Sequence, residues 1–171
     1  MHIRIRKARP SDLDLLVRYR RLMWEDLGVT DSRTLDENER VYKRWARTRL
    51  RSKTLLAWLA IARGKTVAGI GCLWLQPLLP RPGNNRMIQP YVFSVYTDPN
   101  FRRRGVATRI IREAKEWSRK NGFLSVGLHA GEVGRGIYRN LGFRRTWEMR
   151  ARFRPEGNLA ANGTLLRYRN R

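Results

Sequence analysis

The feature that most constrains the fold is a strand-to-helix junction, which spans Val95 to Ala107 with the sequence VYTDPNFRRRGVA. An apolar run ends at Thr97, a proline predicts a turn, three consecutive arginines form a basic loop, and a helical pattern begins at Gly105. Such a junction directs several backbone N–H groups toward one point, with the positive end of a helix dipole behind them. This geometry binds anions, and pyrophosphate is a natural anion for it. Gly105 has no Cβ, so a phosphate can approach the backbone closely there.

A second motif follows between Leu128 and Phe143, with the sequence LHAGEVGRGIYRNLGF. It predicts the end of a strand, a short loop and one or two helical turns, and Gly142 indicates where the helix stops before another strand. The arginine loop alone would also fit an ordinary basic loop that caps a surface helix. Two motifs in a fixed order carry more weight than either one alone.

Both motifs resemble signatures of the GNAT family of N-acetyltransferases. The run that begins at Arg102 reads R-x-x-G-x-A, with the spacing of the family's acyl-CoA pyrophosphate loop, Q/R-x-x-G-x-G/A. The run that begins at Tyr138 reads Y-x-x-L-G-F, like the tyrosine helix that lies near the CoA sulfur in the family. They occur in the family's order, with a helix and a strand of suitable length between them.

The predicted elements follow the order β-α-α-β-β-β-α-β-α-β, which is the GNAT arrangement. Strands are predicted at 2–8, 55–62, 66–75, 91–97, 123–129 and 144–154, and helices at 10–28, from Thr34, at 105–121 and around Tyr138. The resemblance implies an α/β (α+β) fold: a mixed, mostly antiparallel sheet of six to seven strands with a splayed parallel pair, flanked by about four helices. We expect residues 1–154 to form the domain and 155–171 to form a C-terminal tail or a short extra strand.

Local signals suggest how these elements begin and how they are connected. Ser11 with Asp14, and Thr34 with Glu37, have the spacing of capping boxes at helix starts. Four prolines between residues 76 and 90 predict a long, mobile loop before the strand that leads into the arginine loop.

The resemblance implies that acetyl-CoA enters the gap between the splayed strands as cosubstrate. A backbone N–H in the segment 94–96 would polarise the acyl carbonyl, with the donor left open by one position because a bulge is expected there. The expected cofactor-binding residues are Val95, Tyr96, Thr97, Arg102, Arg103, Arg104, Gly105, Val106, Ala107, Thr108 and Asn140. Not all three arginines can face the phosphates.

Tyr138 is the predicted general acid. A phenol ordinarily has a pKa of about 10, so it can donate a proton to a departing thiolate. The alternative is that Tyr138 only packs against the CoA arm.

The sequence leaves several candidates for the general base. Many family members carry a glutamate on the strand before the pyrophosphate loop, but residues 91–97 contain no carboxylate. The candidates are a water held by backbone carbonyls, His129 at the tip of the next strand, and Glu25 or Asp26 at the end of the first helix. A lone histidine in such a place is more often structural.

In the family the acceptor pocket lies between the first two helices and the proline-rich loop. These segments supply Tyr19, Trp24, Glu25, Asp26, Trp45 and Trp74. The tryptophans also fit ordinary core packing. An amine acceptor is expected, and the sequence does not choose between a small amine and a protein or peptide amine.

Composition sets the remaining bounds. At 171 residues with 42% hydrophobic content, the chain fits one globular domain. Its net charge of +23 attracts polyanions, but the charges are spread over the whole chain, which argues against a specific nucleic-acid partner. An Arg-rich nucleic-acid-binding protein and a non-catalytic acyl-CoA-binding module remain as alternatives to the enzyme.

The single cysteine and the two histidines show no metal-ligand spacing, so no metal site is expected. Cys72 lies in an apolar run and is expected in the core. No apolar run approaches membrane-spanning length and the first residues do not resemble a signal peptide, so we expect a cytoplasmic protein without membrane contact. A homodimer is a common arrangement in the family.

Overall fold

One five-stranded sheet organises the computed structural model, which describes residues 3–80, 82–149 and 151. Its strands are β1 (Arg4–Lys7), β2 (Leu55–Ile61), β3 (Val67–Pro77), β4 (Ile88–Thr97) and β5 (Gly127–Leu128). The helices are α1 (Leu13–Asp26), α2 (Ser32–Arg51), α3 (Val106–Lys120) and α4 (Arg135–Asn140). The strands lie in the order β1-β2-β3-β4-β5, with antiparallel pairs up to β4 and a parallel pair between β4 and β5.

Two apolar clusters cover the two faces of the sheet. Helices α1 and α2 pack on one face, where Leu16, Tyr42 and Leu59 belong to a single buried cluster. Helix α3 packs on the other face, where Ile110 and Val92 belong to the second cluster. The apolar stripes of the helices repeat every three or four residues, so each helix buries one side against the sheet. The predicted mixed α/β architecture with a parallel strand pair is confirmed.

Helix α3 lies close to the sheet because glycines face it. A Cβ on Gly71 would lie 2.5 Å from Ile110 Cγ2, and a Cβ on Gly69 would lie 2.6 Å from the carbonyl oxygen of Tyr96. Neither glycine can carry a side chain without movement of its neighbours. This close approach fixes the helix that follows the arginine loop against the strand that precedes it.

The expected capping boxes are replaced by aspartates. Helix α2 begins at Ser32, and the side chain of Asp31 accepts the hydrogen bond from Thr34 N at 2.9 Å. Aspartate caps a helix at least as well as threonine, so the helix begins two residues earlier than Thr34 predicts. At the first helix, Asp12 accepts from Arg9 N at 2.7 Å and forms a bidentate pair with Arg6, which ties β1 to the start of α1.

The sheet has fewer strands than the six to seven expected. The described residues contain five, because β5 covers only Gly127–Leu128 of the predicted 123–129, and residues 144–149 and 151 form no strand. The side chains of Trp147 and Met149 are 97% and 93% exposed, so the alternating pattern there has no neighbouring strand to pair with among the described residues. The rest of the predicted strand 144–154, His2, and the tail 155–171 lie outside the described residues.

The proline-rich loop is shorter than predicted, because both flanking strands extend into it. Strand β3 continues to Pro77 and β4 starts at Ile88, with Leu75 paired with Pro90 across the two strands. Pro90 is fully buried, and Cys72 is 1% exposed, as expected for a core cysteine. Burial raises the pKa of the Cys72 thiol to about 11. None of the described helices is long and apolar enough to cross a membrane.

Candidate functional site

A bulge interrupts β4 next to the point where the parallel pair separates. Ile70 and Cys72 on β3 are two residues apart, but their partners Tyr96 and Phe93 on β4 are three apart, so β4 contains one extra residue. Ser94 lies in this insertion, with φ at 48° and 5% exposure. A non-glycine residue in the left-handed region is rare and costs free energy, so the surrounding packing holds it there.

The bulge changes which side chains of β4 face which helix layer. Phe93 and Tyr96 both contact the cluster under α1 and α2, whereas Val92 and Val95 contact the cluster under α3. Strict alternation would place Phe93 and Tyr96 on opposite faces. A bulge also leaves backbone groups outside the regular ladder, which makes the segment 94–96 suitable to donate an N–H to a ligand carbonyl. Which of these N–H groups donates stays a prediction.

The arginine loop leads from β4 into an open helix start. Asp98 accepts from Asn100 N at 3.0 Å and closes a short turn at Pro99–Phe101. Arg103 and Gly105 then adopt left-handed backbone conformations, with φ of 59° and 72°. No side chain caps α3, and a Cβ on Gly105 would meet no atom within 4 Å. The helix start therefore has no side-chain cap and has open space beside Gly105, as an anion site requires.

Arg102 is paired with an acidic residue of α1. Its guanidinium pairs with Asp26, donates to the carbonyl oxygen of Thr97 at 3.2 Å, and lies 5.9 Å from the ring centre of Tyr96. Burial and the charge of Asp26 raise the pKa of Tyr96. The structure thus brings one predicted base candidate and three predicted cofactor residues together at the end of β4. Their roles stay predictions.

Tyr138 lies on α4, downstream of β5. A Cβ on Gly134 would lie 2.6 Å from Tyr138 Cε2, and the ring of Phe143 packs edge-on against Tyr138 at 5.9 Å. Burial raises the pKa of Tyr138. The phenol is protonated at neutral pH, which is the form that a general acid needs, and the raised pKa makes it a weaker proton donor than an exposed tyrosine. Asn140 is exposed at the end of the same helix.

His129 connects β4 to the segment that follows α4. Its Nδ1 is hydrogen-bonded to the hydroxyl of Tyr91, and its Nε2 lies 3.0 Å from Glu148 Oε2. A carboxylate on one ring nitrogen fixes the orientation of the imidazole. Neither Tyr91 nor Glu148 was expected to join the site, because Glu148 lies on a segment for which only a strand was predicted.

Glu25 lies apart from this group. It pairs with Arg21 at 3.0 Å, in a cluster between α1 and α2 that also contains Asp36 and Glu39 of α2. Asp26, one residue later, is the α1 carboxylate that lies beside Tyr96 and the arginine loop. Of the two acidic candidates on α1, only Asp26 shares the site with the predicted cofactor residues in the described contacts.

The acceptor-side aromatics pack under α1 and α2. Trp45 stacks on Tyr42 at 5.8 Å and meets Trp74 edge-on at 5.5 Å, while the hydroxyl of Tyr19 donates to the carbonyl oxygen of Val67 at 2.7 Å. These contacts fit the core-packing interpretation of the tryptophans. A charged residue, Arg20, lies among these aromatic side chains and was not predicted as part of the site. Its signal was its spacing: residues 16, 20 and 24 lie four apart, so position 20 falls on the inner face of α1.

No metal centre is formed by the described residues, since they contain no group of three His, Cys, Asp or Glu side chains that could hold an ion.

Comparison with protein families gives one match over most of the chain. The model of the Acetyltransferase (GNAT) family matches residues 16–143. This segment contains all but the first three residues of α1, the whole of α2, α3 and α4, and four of the five strands, together with both motifs. No curated protein sequence matches the chain.

Solved structures share the fold over nearly their whole length. A GCN5-related N-acetyltransferase from Ralstonia eutropha is 25% identical with a TM-score of 0.80, and the match covers 89% of this chain and 99% of that one. A predicted acetyltransferase from Clostridium acetobutylicum, solved with acetyl-CoA, is 23% identical with a TM-score of 0.79 over 89% and 96% of the two chains. A ribosomal-protein-alanine N-acetyltransferase from Brucella melitensis is 18% identical with a TM-score of 0.64 over 89% and 99%.

Proposed function

The chain belongs to the Acetyltransferase (GNAT) family, and on that premise we propose that it moves an acetyl group from acetyl-CoA to an amine by direct attack. The observation that carries the proposal is the junction of β4 and α3. Here a bulged strand is followed by the arginine loop, in which Arg103 and Gly105 have positive φ, and then by a helix start without a side-chain cap. The uncapped start of α3 suits a pyrophosphate, and the basic loop suits further phosphates. The structural relative from Clostridium acetobutylicum, which was solved with acetyl-CoA, supports this choice of cosubstrate.

The reaction requires polarisation of the thioester carbonyl, removal of a proton from the amine and protonation of the departing thiolate. A backbone N–H of the bulge, in the segment 94–96, polarises the thioester carbonyl and stabilises the negative charge that develops on its oxygen. The neutral amine attacks the carbonyl carbon, and the carbon–sulfur bond then breaks. Tyr138 donates its phenolic proton to the departing thiolate, a role that requires the phenol to be protonated before the transfer.

The proton of the attacking amine has more than one candidate acceptor. Two protein groups are candidates: His129, which contacts Tyr91 and Glu148, and Asp26, whose charge acts on Tyr96. A water that relays the proton to solvent is the third candidate. A loss of the acidic limb of kcat/KM in a His129→Ala or an Asp26→Asn variant identifies which group is the base.

Calorimetric titration with acetyl-CoA tests the cosubstrate site. The titration is run at about 0.3 M salt, where loose polyanion binding is suppressed. We expect saturable one-to-one binding in the wild type and none in Gly105→Glu, because the new carboxylate enters the open space before α3. Gly64→Glu is the matched control: Gly64 also has a positive φ, 69°, and no neighbour within 4 Å of a Cβ, but it lies in the turn between β2 and β3. Absence of binding in the wild type contradicts the proposal.

A non-catalytic acyl-CoA-binding module is the second candidate, and the lack of a carboxylate on β4 favours it. Tyr138→Phe separates the two. An enzyme loses kcat at all pH values where the phenol is protonated while its acetyl-CoA affinity is retained. A binding module shows no turnover in either form, and its affinity is likewise retained.

A further inference from the structure

Arg20 places a positive charge inside the aromatic layer between α1, α2 and the sheet. Its guanidinium carbon lies 4.6 Å from the ring centre of Tyr42, 5.4 Å from that of Trp24 and 5.8 Å from that of Phe93. No Asp or Glu of the described residues forms an ion pair with it. Buried charges in proteins are normally paired, so a guanidinium without a carboxylate needs an explanation.

The side chains of Arg20 and Trp24 have more hydrogen-bond donors than there are acceptors around them among the described residues. Arg20 Nη1 donates to Ser94 Oγ at 2.5 Å, which accounts for one of the five N–H donors of the guanidinium. Arg20 Nε and Trp24 Nε1 are both buried without an acceptor among the described residues. A carboxylate accepts hydrogen bonds and cannot donate them when ionised, so it matches this excess of donors.

The contact with Ser94 brings this charge to the reaction centre. Ser94 is the inserted residue of the β4 bulge, in the segment whose N–H groups are proposed to polarise the thioester carbonyl. Arg20 as a whole is only partly buried, although its Nε is buried, so part of the side chain is accessible from outside the aromatic layer. Burial lowers the pKa of Arg20, because partial desolvation disfavours the charged guanidinium. A bound anion would favour the charged guanidinium and so raise the pKa of Arg20.

We propose that the acceptor is an amine that also carries a carboxylate a few bonds away, as an amino acid does, and that Arg20 binds this carboxylate. The inference rests on the proposed acetyl transfer and adds the class of acceptor. The carboxylate pairs with the guanidinium beside Trp24, and the amine then lies next to the bulge and the thioester carbonyl. The short path from Arg20 through Ser94 to the bulge requires that the two groups of the acceptor be close together.

The same charge selects against other amines. Polycationic amines would bring further positive charge against a guanidinium that has no carboxylate partner among the described residues, which is unfavourable in a partly desolvated site. A neutral amine without an anionic group would leave the donors unpaired.

Matched acceptors test the proposal in the wild-type protein. The probes are the standard α-amino acids with their carboxamides, and β-alanine with its carboxamide, and the readout is the release of free CoA from acetyl-CoA. The carboxamide keeps the amine and the side chain but removes the charge. Since its amine is less basic, chemistry alone favours the carboxamide, so a preference for the acid reports binding. We expect kcat/KM to be about 10- to 100-fold higher for the acid of the preferred pair.

Variants then assign the preference to Arg20. In Arg20→Met the ratio of acid to carboxamide falls to near one, and in Arg20→Lys it is partly retained, because lysine keeps the charge without the bidentate fork. Arg18→Met is the control, since Arg18 is an exposed arginine on the same helix and its loss removes the same net charge. Far-UV circular dichroism and the affinity for acetyl-CoA verify that each variant is folded.

Each outcome separates this inference from the proposed function. If acetyl-CoA does not bind to the wild type, the proposed function fails and the acceptor class fails with it. If acetyl-CoA binds but acids and carboxamides react equally, or only amines without a carboxylate react, the acceptor class alone is overturned. Binding without turnover of any probe also overturns it. A preference that survives in Arg20→Met overturns the role of Arg20.

Discussion

The two faces of strand β4 are built for different tasks. On the face toward α3, Val92 and Val95 meet Ile110 and Val106 in a closely packed cluster in which a single extra methyl group on Gly71 has no room. On the face toward α1, Ser94 has a strained backbone and accepts a hydrogen bond from an arginine that has no acidic partner among the described residues. The face toward α3 stabilises the fold and fixes the position of α3 against β4. On the face toward α1, the strained backbone of Ser94 and the charge of Arg20 lower stability, and they lie where the reaction is proposed.

The most destabilising change should be on the α3 face. Ile110 is 1% exposed, so Ile110→Ala removes buried methyl groups and leaves a cavity between α3 and the sheet. We expect the free energy of unfolding to fall by about 2–5 kcal/mol in urea titrations. Val41→Ala, at a position that is 50% exposed, is the control and should change little. If Ile110→Ala lowers the free energy of unfolding no more than Val41→Ala does, the α3 face is not the stabilising one and the distinction between the two faces fails.

The contact between Gly71 and Ile110 gives the next largest effect. Gly71→Ala places a Cβ 2.5 Å from Ile110 Cγ2, and we expect a cost of about 1–3 kcal/mol from overpacking. The cost should shrink in the Ile110→Ala background, because the clashing atom is then absent. A double-mutant cycle measures this coupling. Strictly additive effects would mean that the close approach does not limit the packing of α3.

The ion pair of Asp12 with Arg6 at the start of α1 should stabilise the fold, in contrast to the charge of Arg20, which has no carboxylate partner among the described residues. Asp12 accepts two hydrogen bonds from Arg6, at 2.7 and 2.8 Å, and these lower the pKa of Asp12 below its usual value. Asp12→Asn should cost about 1–2 kcal/mol at pH 7. Because the folded-state pKa is depressed, the stabilisation is present above about pH 4 and is lost as the pH falls through the folded-state pKa. Unfolding curves of both proteins should therefore converge in acid; a gap that stays constant with pH argues against the ion pair.

The smallest change in stability should come from Arg20. Arg20→Met removes a partly desolvated charge and keeps a long apolar side chain between the rings of Trp24, Tyr42 and Phe93. The lost hydrogen bond and ring contacts oppose the relief of desolvation, so we expect a free energy of unfolding within about 1 kcal/mol of the wild type, or above it. Thermal and urea unfolding measure it. A loss of several kcal/mol would make Arg20 a structural residue.

Sequence patterns predicted the elements that carry their own local signals. The order of helices and strands and the glycine that begins α3 depend on residues that are close in the chain. The length of β5 and the strand after α4 were overestimated, because an alternating pattern indicates which side chains share a face but not whether a partner strand is present. Leu124, at 75% exposure in the predicted strand 123–129, illustrates the point.

The polar cluster at the bulge could not be predicted in the same way. Arg20 and Ser94 are 74 positions apart, and nothing in the local sequence of either residue indicates the other. The position of Arg20 within the apolar stripe of α1 was a usable signal, whereas the left-handed backbone of Ser94 arises only from the register between β3 and β4. The pairing of His129 with Tyr91 and Glu148 likewise joins three separate segments.

The strand order of the sheet has a consequence for how the chain assembles. Each strand pairs with its neighbours in the sequence, from β1 to β5, and the parallel connection from β4 to β5 passes through α3. Contacts between segments that are near in the chain form quickly, since little loop entropy is lost. The antiparallel pairs β2-β3 and β3-β4 are such contacts, whereas β1 pairs with β2 across α1 and α2, so β2 to β4 can pair in the order in which they leave the ribosome. Strands β2 to β4 can then be paired while α4, which carries Tyr138, is still being translated.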